Sequence, residues 1–350
     1  MKKALIFILF ICLGTAYSQW ASNYSGYGIG DLNLQDAKGL ANAIDAYGNV
    51  YAAGYIESSA YGCDILLIKY KTNGDTAWTR TYNGNENSTD KAFGIVVDAA
   101  GDVYITGMVT LSGRGSELIL LKYSSNGGLL WVQTCGETKA KLDDMGLAIG
   151  MDNLGNIYVT GYSTGKDSKR NIIVQRYSSS GNLMFTVIED GEEHLNSEGY
   201  GIAVDNSGSI YVTGYTNTQS SLSDIITLKY NNSGNRQWRN FYNNSSNKND
   251  KAFGIALDNS NNVYVTGFVT RTRDTNNTDA ILIKYNKKGV QVWSDTCNGN
   301  GENSSDKAWG IVVDTDNMIY ITGQTGVSSQ GLNYLIVKYT TTGSRSWRKD

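Results

Sequence analysis

The sequence contains no proline and only one histidine among its 350 residues. Average usage would supply about 17 prolines, so collagen-like architectures are excluded. The 40 glycines scattered along the chain exclude long helices and coiled coils. A Ser-His-Asp triad or a multi-histidine metal site would have to rest on His194 alone. Neither sign of charge dominates: 30 Lys and Arg face 33 Asp and Glu, for a net charge of −3. That is no basic footprint for nucleic acid. Against these absences stands a hydrophobic fraction of 40% with 18% charged residues, enough apolar material for a folded core. The length suits two ordinary domains or one large all-β ring.

The N-terminus reads as an export address. Lys2 and Lys3 precede an apolar run from Ala4 to Leu13, and Gly14 to Ser18 supplies small residues. This is the order of a secretory signal, and the pattern places cleavage after Ser18, so residues 1–18 are a signal peptide. Cys12 follows Ile11, where a lipid-attachment site would carry a small residue, and lipidation is set aside. No transmembrane segment is predicted elsewhere. The expected location is periplasmic, cell-surface or extracellular.

Residues 19–350 are one unit repeated six times. Tyr-[Ile/Val]-Thr-Gly begins at Tyr104, Tyr158, Tyr211, Tyr264 and Tyr320, with a variant at Tyr51. The repeats span about 36–82, 90–135, 144–189, 197–242, 250–297 and 306–350. Each reads as four short strands; in the second they are Ala92–Asp98, Val103–Met108, Leu118–Tyr123 and Leu129–Cys135. Four strands in about 50 residues is the arithmetic of a β-propeller blade. The first strand alternates small and large residues, as in Ala92, Gly94 and Val96 against Phe93, Ile95 and Val97. Alternation places the two sets on opposite faces, so this strand is expected to be innermost, with small residues meeting the large ones of a neighbouring blade. Asn42 interrupts the pattern in the first copy.

Two turn motifs accompany the strands. Asp-x-x-[Gly/Asn] precedes the second strand, as at Asp98–Gly101, and Tyr-x-x-x-Gly-x-x-x-Trp leads into the fourth, as at Tyr70, Gly74 and Trp78. Glycine supplies a positive φ, and Asp satisfies local backbone donors. Calcium would need more oxygen ligands than this turn offers. All seven tryptophans fall in repeat columns, and half of the 24 tyrosines occupy two columns, so aromatic content by itself is no argument for carbohydrate.

The motifs [Ala/Gly]-[Phe/Tyr/Trp]-Gly-Ile-x-[Val/Leu]-Asp, Tyr-[Ile/Val]-Thr-Gly and the following [Ile/Leu/Val]-Lys-Tyr resemble the bacterial secreted β-propeller repeat family, SBBP, over the whole of residues 19–350. The resemblance implies an all-β propeller of four-stranded blades and export, and it implies no activity. The family is usually seven-bladed and this chain shows six repeats. Six blades are expected, or seven if the chain is a fragment of a longer protein. Residues 19–24, Trp20 to Tyr24, match the fourth-strand pattern and are expected to complete the last blade, closing the ring and removing a free edge.

Binding residues concentrate on variable loops over a rigid scaffold. Here those are the second-to-third and fourth-to-first connections, which emerge at one end of the blades. Asp90-Lys91, Asp250-Lys251 and Asp306-Lys307 precede the first strand. They read either as an anion-binding rim or as Asp–Lys pairs ordering the loops. Tyr55, Tyr162, Tyr215 and Phe268 follow Thr-Gly or its equivalent, and read either as rings that stack on a ligand or as packing beneath the loops. Cys63, Cys135 and Cys297 are expected to be free thiols or to pair between molecules. No cysteine or histidine spacing matches a metal site.

The leading functional reading is an exported noncatalytic module that binds or scaffolds a protein or carbohydrate partner through the long-loop end, with no cofactor and no metal. Two alternatives stand beside it. One is a polysaccharide lyase or hydrolase using Asp90, Asp250 and Asp306, since glycoside hydrolysis needs facing carboxylates. The other is a fragment of a larger surface adhesin. A quinone-dependent enzyme is disfavoured by the short chain.

Overall fold

The computed structural model describes residues 34–58, 62–84, 88–135, 142–191, 193–271, 277–299, 305–327 and 331–349. The expected signal peptide at 1–18 and the expected closing strand at 19–24 lie outside the described residues. The described residues form 24 strands and no helix. The strands make six four-stranded antiparallel sheets, each assembled in chain order, and these are the blades of a β-propeller repeat protein. The first strands are Leu34–Ile44, Lys91–Val97, Met145–Met151, Ser197–Val204, Lys251–Leu257 and Lys307–Val313. Blade 6 is completed by its own fourth strand, Arg345–Lys349.

The chain forms two compact units. One contains blades 1 and 2 and the first half of blade 3, through 151 with 155–168 and 177–183; the other contains 152–154, 169–176 and everything from 184 onward. In the first unit, Tyr51, Ala53, Ile65 and Leu67 of blade 1 are buried against Ala92, Ile95, Val103 and Ile119 of blade 2. In the second, Tyr211 and Ile225 of blade 4 pack on Ile255, Val263 and Ile281 of blade 5. Tyr264 and Leu282 of blade 5 pack in turn on Ile319, Ile321 and Val337 of blade 6. The small-against-large expectation is met. A Cβ on Gly94 would lie 3.0 Å from Ile149 of the next blade, and one on Gly254 would lie 2.9 Å from Ile311.

Strict alternation along the first strand is not met. The pairing slips between Ala92 and Gly94, and at the matching place in every blade. One residue is bulged there: Leu40, Phe93, Leu147, Tyr200, Phe253 or Trp309. A bulge bends the strand and re-aims its side chains. It also explains the Thr-Gly signature. The bulge drives the Lys91 carbonyl oxygen into the space a Cβ on Gly107 would occupy, and the same clash arises at Gly54, Gly161, Gly214, Gly267 and Gly323.

The second and third strands run longer than expected. In blade 2 they are Val103–Leu111 and Gly115–Tyr123, because pairing continues through Val109–Glu117 to Leu111–Gly115. The connection between them is therefore a short hairpin there, while blades 4 and 5 have longer ones at 217–223 and 271–277.

The remaining repeat motifs have structural work. Asp98 Oδ1 accepts the Ala100 and Asp102 amides at 2.9 and 2.8 Å, and Oδ2 accepts the Tyr104 hydroxyl at 3.2 Å. The same hydroxyl bond is made by Tyr51, Tyr211, Tyr264 and Tyr320. Each of these rings lies beneath the lysine of Ile-Lys-Tyr or its equivalent, at 4.7 to 5.1 Å. The indole of Trp293 donates to the Thr341 carbonyl at 3.2 Å, under the turn glycine Gly343 of the following blade. The Trp and Gly of that motif thus latch one blade to the next.

Candidate functional site: lysines over aromatic rings

The three aspartates are buried clasps. Asp90 is 1% exposed, and Asp250 and Asp306 are fully buried. Asp250 Oδ2 accepts the Asn244 amide at 2.5 Å, and Oδ1 accepts the Thr270 amide at 2.9 Å. Asp90 holds Gly84 and Thr110 in the same way, and Asp306 holds Gly299 and Gly326. Each thus ties the fourth-to-first loop to the end of the second strand. Its own amide donates to the preceding blade, to Cys63, Ser223 and Thr278 respectively. Asp144, in a copy without the lysine, makes the corresponding bonds to Thr164 and Ser116. Burial raises the pKa of Asp90 and Asp144 above the ordinary carboxylate value, against the amide bonds. Asp250 is raised to about 6, by burial first and also by the charge of Asp224.

Asp–Lys ion pairs within these motifs do not form among the described residues. The lysines turn instead to the aromatic column. Lys91 Nζ is 4.4 Å from the ring centre of Tyr55, Lys251 is 3.6 Å from that of Tyr215, and Lys307 is 4.7 Å from that of Phe268. In each case the ring belongs to the preceding blade. Lys38 also reaches Tyr55, at 5.7 Å. A cation over a ring face is held by the ring quadrupole. The rings themselves are buried: Tyr55, Tyr162, Tyr215 and Phe268 are all 3 to 7% exposed. At each of these three places the two candidate columns meet, an aromatic floor under a cationic cover.

In the second unit this structure extends to residues that strand alternation had assigned to packing. The bulged Tyr200, Phe253 and Trp309 form a row, with ring centres 5.4 and 4.4 Å apart. Tyr215 and Phe268 pack against the row at 6.0 and 5.8 Å. Trp309, at the end of the row, is 47% exposed, and Lys307 Nζ is 6.0 Å from its ring centre. Arg170 pairs with Glu198 at 2.6 Å, and the Tyr200 hydroxyl donates to the other oxygen of Glu198 at 2.7 Å. Burial lowers the pKa of Lys251; Glu198 opposes the shift, and the positive charges of Lys307 and Arg170 add to it. The sequence trace of this cluster is the Thr-Gly glycine, which marks where the bulge must be.

His194 is exposed and its Nδ1 lies 2.6 Å from Asp190 Oδ2. Cys63, Cys135 and Cys297 form no disulfide among the described residues. Among the described residues no group of three or more His, Cys, Asp or Glu is placed to hold a metal ion, and no helix is long and apolar enough to cross a membrane.

The SBBP family, described as a beta-propeller repeat, matches residues 195–220. These residues cover the first and second strands of blade 4, with the bulge and the Thr-Gly signature, so the chain carries the SBBP repeat. Curated proteins yield no match. Among solved structures, a protein of unknown function from Dyadobacter fermentans is similar in fold. Its TM-score is 0.55 at 9% identity, over 85% of this chain and 92% of that one. A protein of unknown function from Bacteroides caccae aligns with a TM-score of 0.44 at 12% identity, over 79% of this chain and 86% of that one.

Proposed function

We propose that this chain is an exported, noncatalytic binding or scaffold module for a protein or carbohydrate partner. Residues 1–18 serve as its export signal, and the six repeats within 19–350 serve as the scaffold. The partner is met at the blade ends that carry Lys91, Lys251 and Lys307. One observation carries the reading: three lysines stand over aromatic rings of the preceding blade, and none of them forms an ion pair among the described residues. Cations without a carboxylate partner suit an incoming anionic group. The aspartates argue against acid–base chemistry, because both oxygens of each are taken by backbone amides. A general acid needs a carboxyl within reach of substrate.

The test is a screen of the exported chain against immobilised glycans and envelope proteins, with the triple variant Lys91→Ala, Lys251→Ala, Lys307→Ala beside it. Both proteins are first shown to be folded by circular dichroism. A partner that binds and is lost in the variant supports the reading. A partner retained in full by the variant moves the binding surface elsewhere.

A further inference from the structure

Resting on that reading, we infer that the cluster of Arg170, Lys251, Lys307 and Trp309 in the second unit is a site for acidic sugars, and specifically for hexuronate residues of a glycan chain. The charge there is unbalanced. Three cations face one carboxylate, Glu198, which is already engaged by Arg170 and by the Tyr200 hydroxyl. Neither Lys251 nor Lys307 has a carboxylate partner among the described residues, although the chain as a whole is acidic. Lys251 and Lys307 repel one another, and an anion between or beside them would relieve that repulsion. The ligand class is thus anionic.

The rings narrow it further. Trp309 presents a half-exposed indole at the end of the Tyr200–Phe253–Trp309 row. Phe253 backs it at 4.4 Å, so the platform is rigid. A flat, backed indole offers apolar contact to the C–H face of a pyranose ring, and Lys307 Nζ, 6.0 Å from the ring centre, stands where a carboxylate borne on that sugar ring would fall. A small inorganic anion has no use for the platform, and a neutral sugar leaves the lysines unneutralised. Two lysines on successive blades also suit a ligand with a carboxylate on successive residues.

The experiment is calorimetric titration of the full exported chain with three probes: oligogalacturonate, the same oligosaccharide fully methyl-esterified, and poly-glutamate. Oligogalacturonate is expected to bind, and esterification to weaken it tenfold or more; this comparison uses the unaltered protein and does not depend on a variant folding. Lys307→Met and Trp309→Ala are each expected to weaken oligogalacturonate tenfold or more, and Trp309→Phe to retain it within about threefold. Equal binding of the ester, or full binding by Trp309→Ala, overturns the inference. Poly-glutamate bound as tightly as oligogalacturonate and lost with the three lysines also overturns it, yet leaves the binding-module reading standing. Should none of the probes bind, nor any partner from the glycan and envelope-protein screen, both readings fall.

Discussion

Lys251 Nζ stands 3.6 Å from the centre of the Tyr215 ring, across the boundary between blades 4 and 5. The contact joins the start of one blade's first strand to the end of the previous blade's second strand. Burial lowers the lysine's pKa and nearby Lys307 and Arg170 lower it further. A larger neutral fraction at mildly alkaline pH makes its amine more nucleophilic. Competitive acylation at pH 8 to 9, read by mass spectrometry, is expected to label Lys251 ahead of Lys91 once accessibility is normalised on the unfolded chain. Tyr215→Leu is expected to cost about 1–2 kcal/mol of stability through the lost contact and, because the ring face favours the charged amine, to raise Lys251 labelling further. Unchanged labelling in that variant would show that the ring does not hold the amine.

The bulge sets a second expectation. Gly107→Ala places a Cβ into the Lys91 carbonyl oxygen, backbone that cannot swing aside. The loss is expected to be about 3 kcal/mol or more, read from urea unfolding. Gly113→Ala is the control. Gly113 has a positive φ of 74° but open space around it, so only the backbone cost of about 1 kcal/mol applies. Equal losses at the two positions would sink the steric account.

For the Asp–Tyr bond inside the blade, Tyr104→Phe removes the hydroxyl donated to Asp98 and is expected to cost about 1 kcal/mol. Asp98→Ala also frees the Ala100 and Asp102 amides and is expected to cost more. In a double-mutant cycle the two losses should fall short of additivity, because they share a bond. Strict additivity would mean that the hydroxyl bond contributes nothing.

A pH dependence follows from Asp250. Its folded pKa, about 6, lies above the unfolded value, near 3.9. The folded state therefore holds the proton more tightly. The stability this contributes is fully present below pH 4 and is lost as pH rises through 6. The full span is about 3 kcal/mol. Asp250→Asn cannot titrate, so the difference in unfolding free energy between wild type and variant should change across pH 4 to 7 by an amount of that order. A flat difference would place the carboxyl in an ordinary environment.

Much of the fold is legible in the sequence itself. The spacing of Tyr51, Tyr104, Tyr158, Tyr211, Tyr264 and Tyr320 counts the blades, and the turn motifs divide each into four strands. These signals are local, and local rules of turn chemistry and alternation suffice to read them. The bulge at Phe93 and its equivalents is not legible by those rules, because one extra residue in the pairing register changes where every side chain before it points. The row of Tyr200, Phe253 and Trp309 goes unread for that reason. The candidate site was half visible. Lys251 and Tyr215 are each marked by repeat position, but their contact crosses a blade boundary, and no periodicity within one repeat encodes it. Likewise the motif Asp250-Lys251 suggests a pair, whereas the aspartate satisfies backbone amides and the lysine turns to a ring.

The bond from the Asp250 amide back to Ser223 has a direction, as do those from Asp90 to Cys63, Asp144 to Ser116 and Asp306 to Thr278. At these four blade starts the amide reaches backward for its acceptor. The array therefore has a head and a tail, and its unit of change is the whole repeat. A blade copied or deleted entire hands its successor the same acceptor in the same place, while a cut anywhere within the repeat leaves one amide without a carbonyl and one carbonyl without an amide. Removing or adding one whole repeat is the change this bonding pattern accommodates.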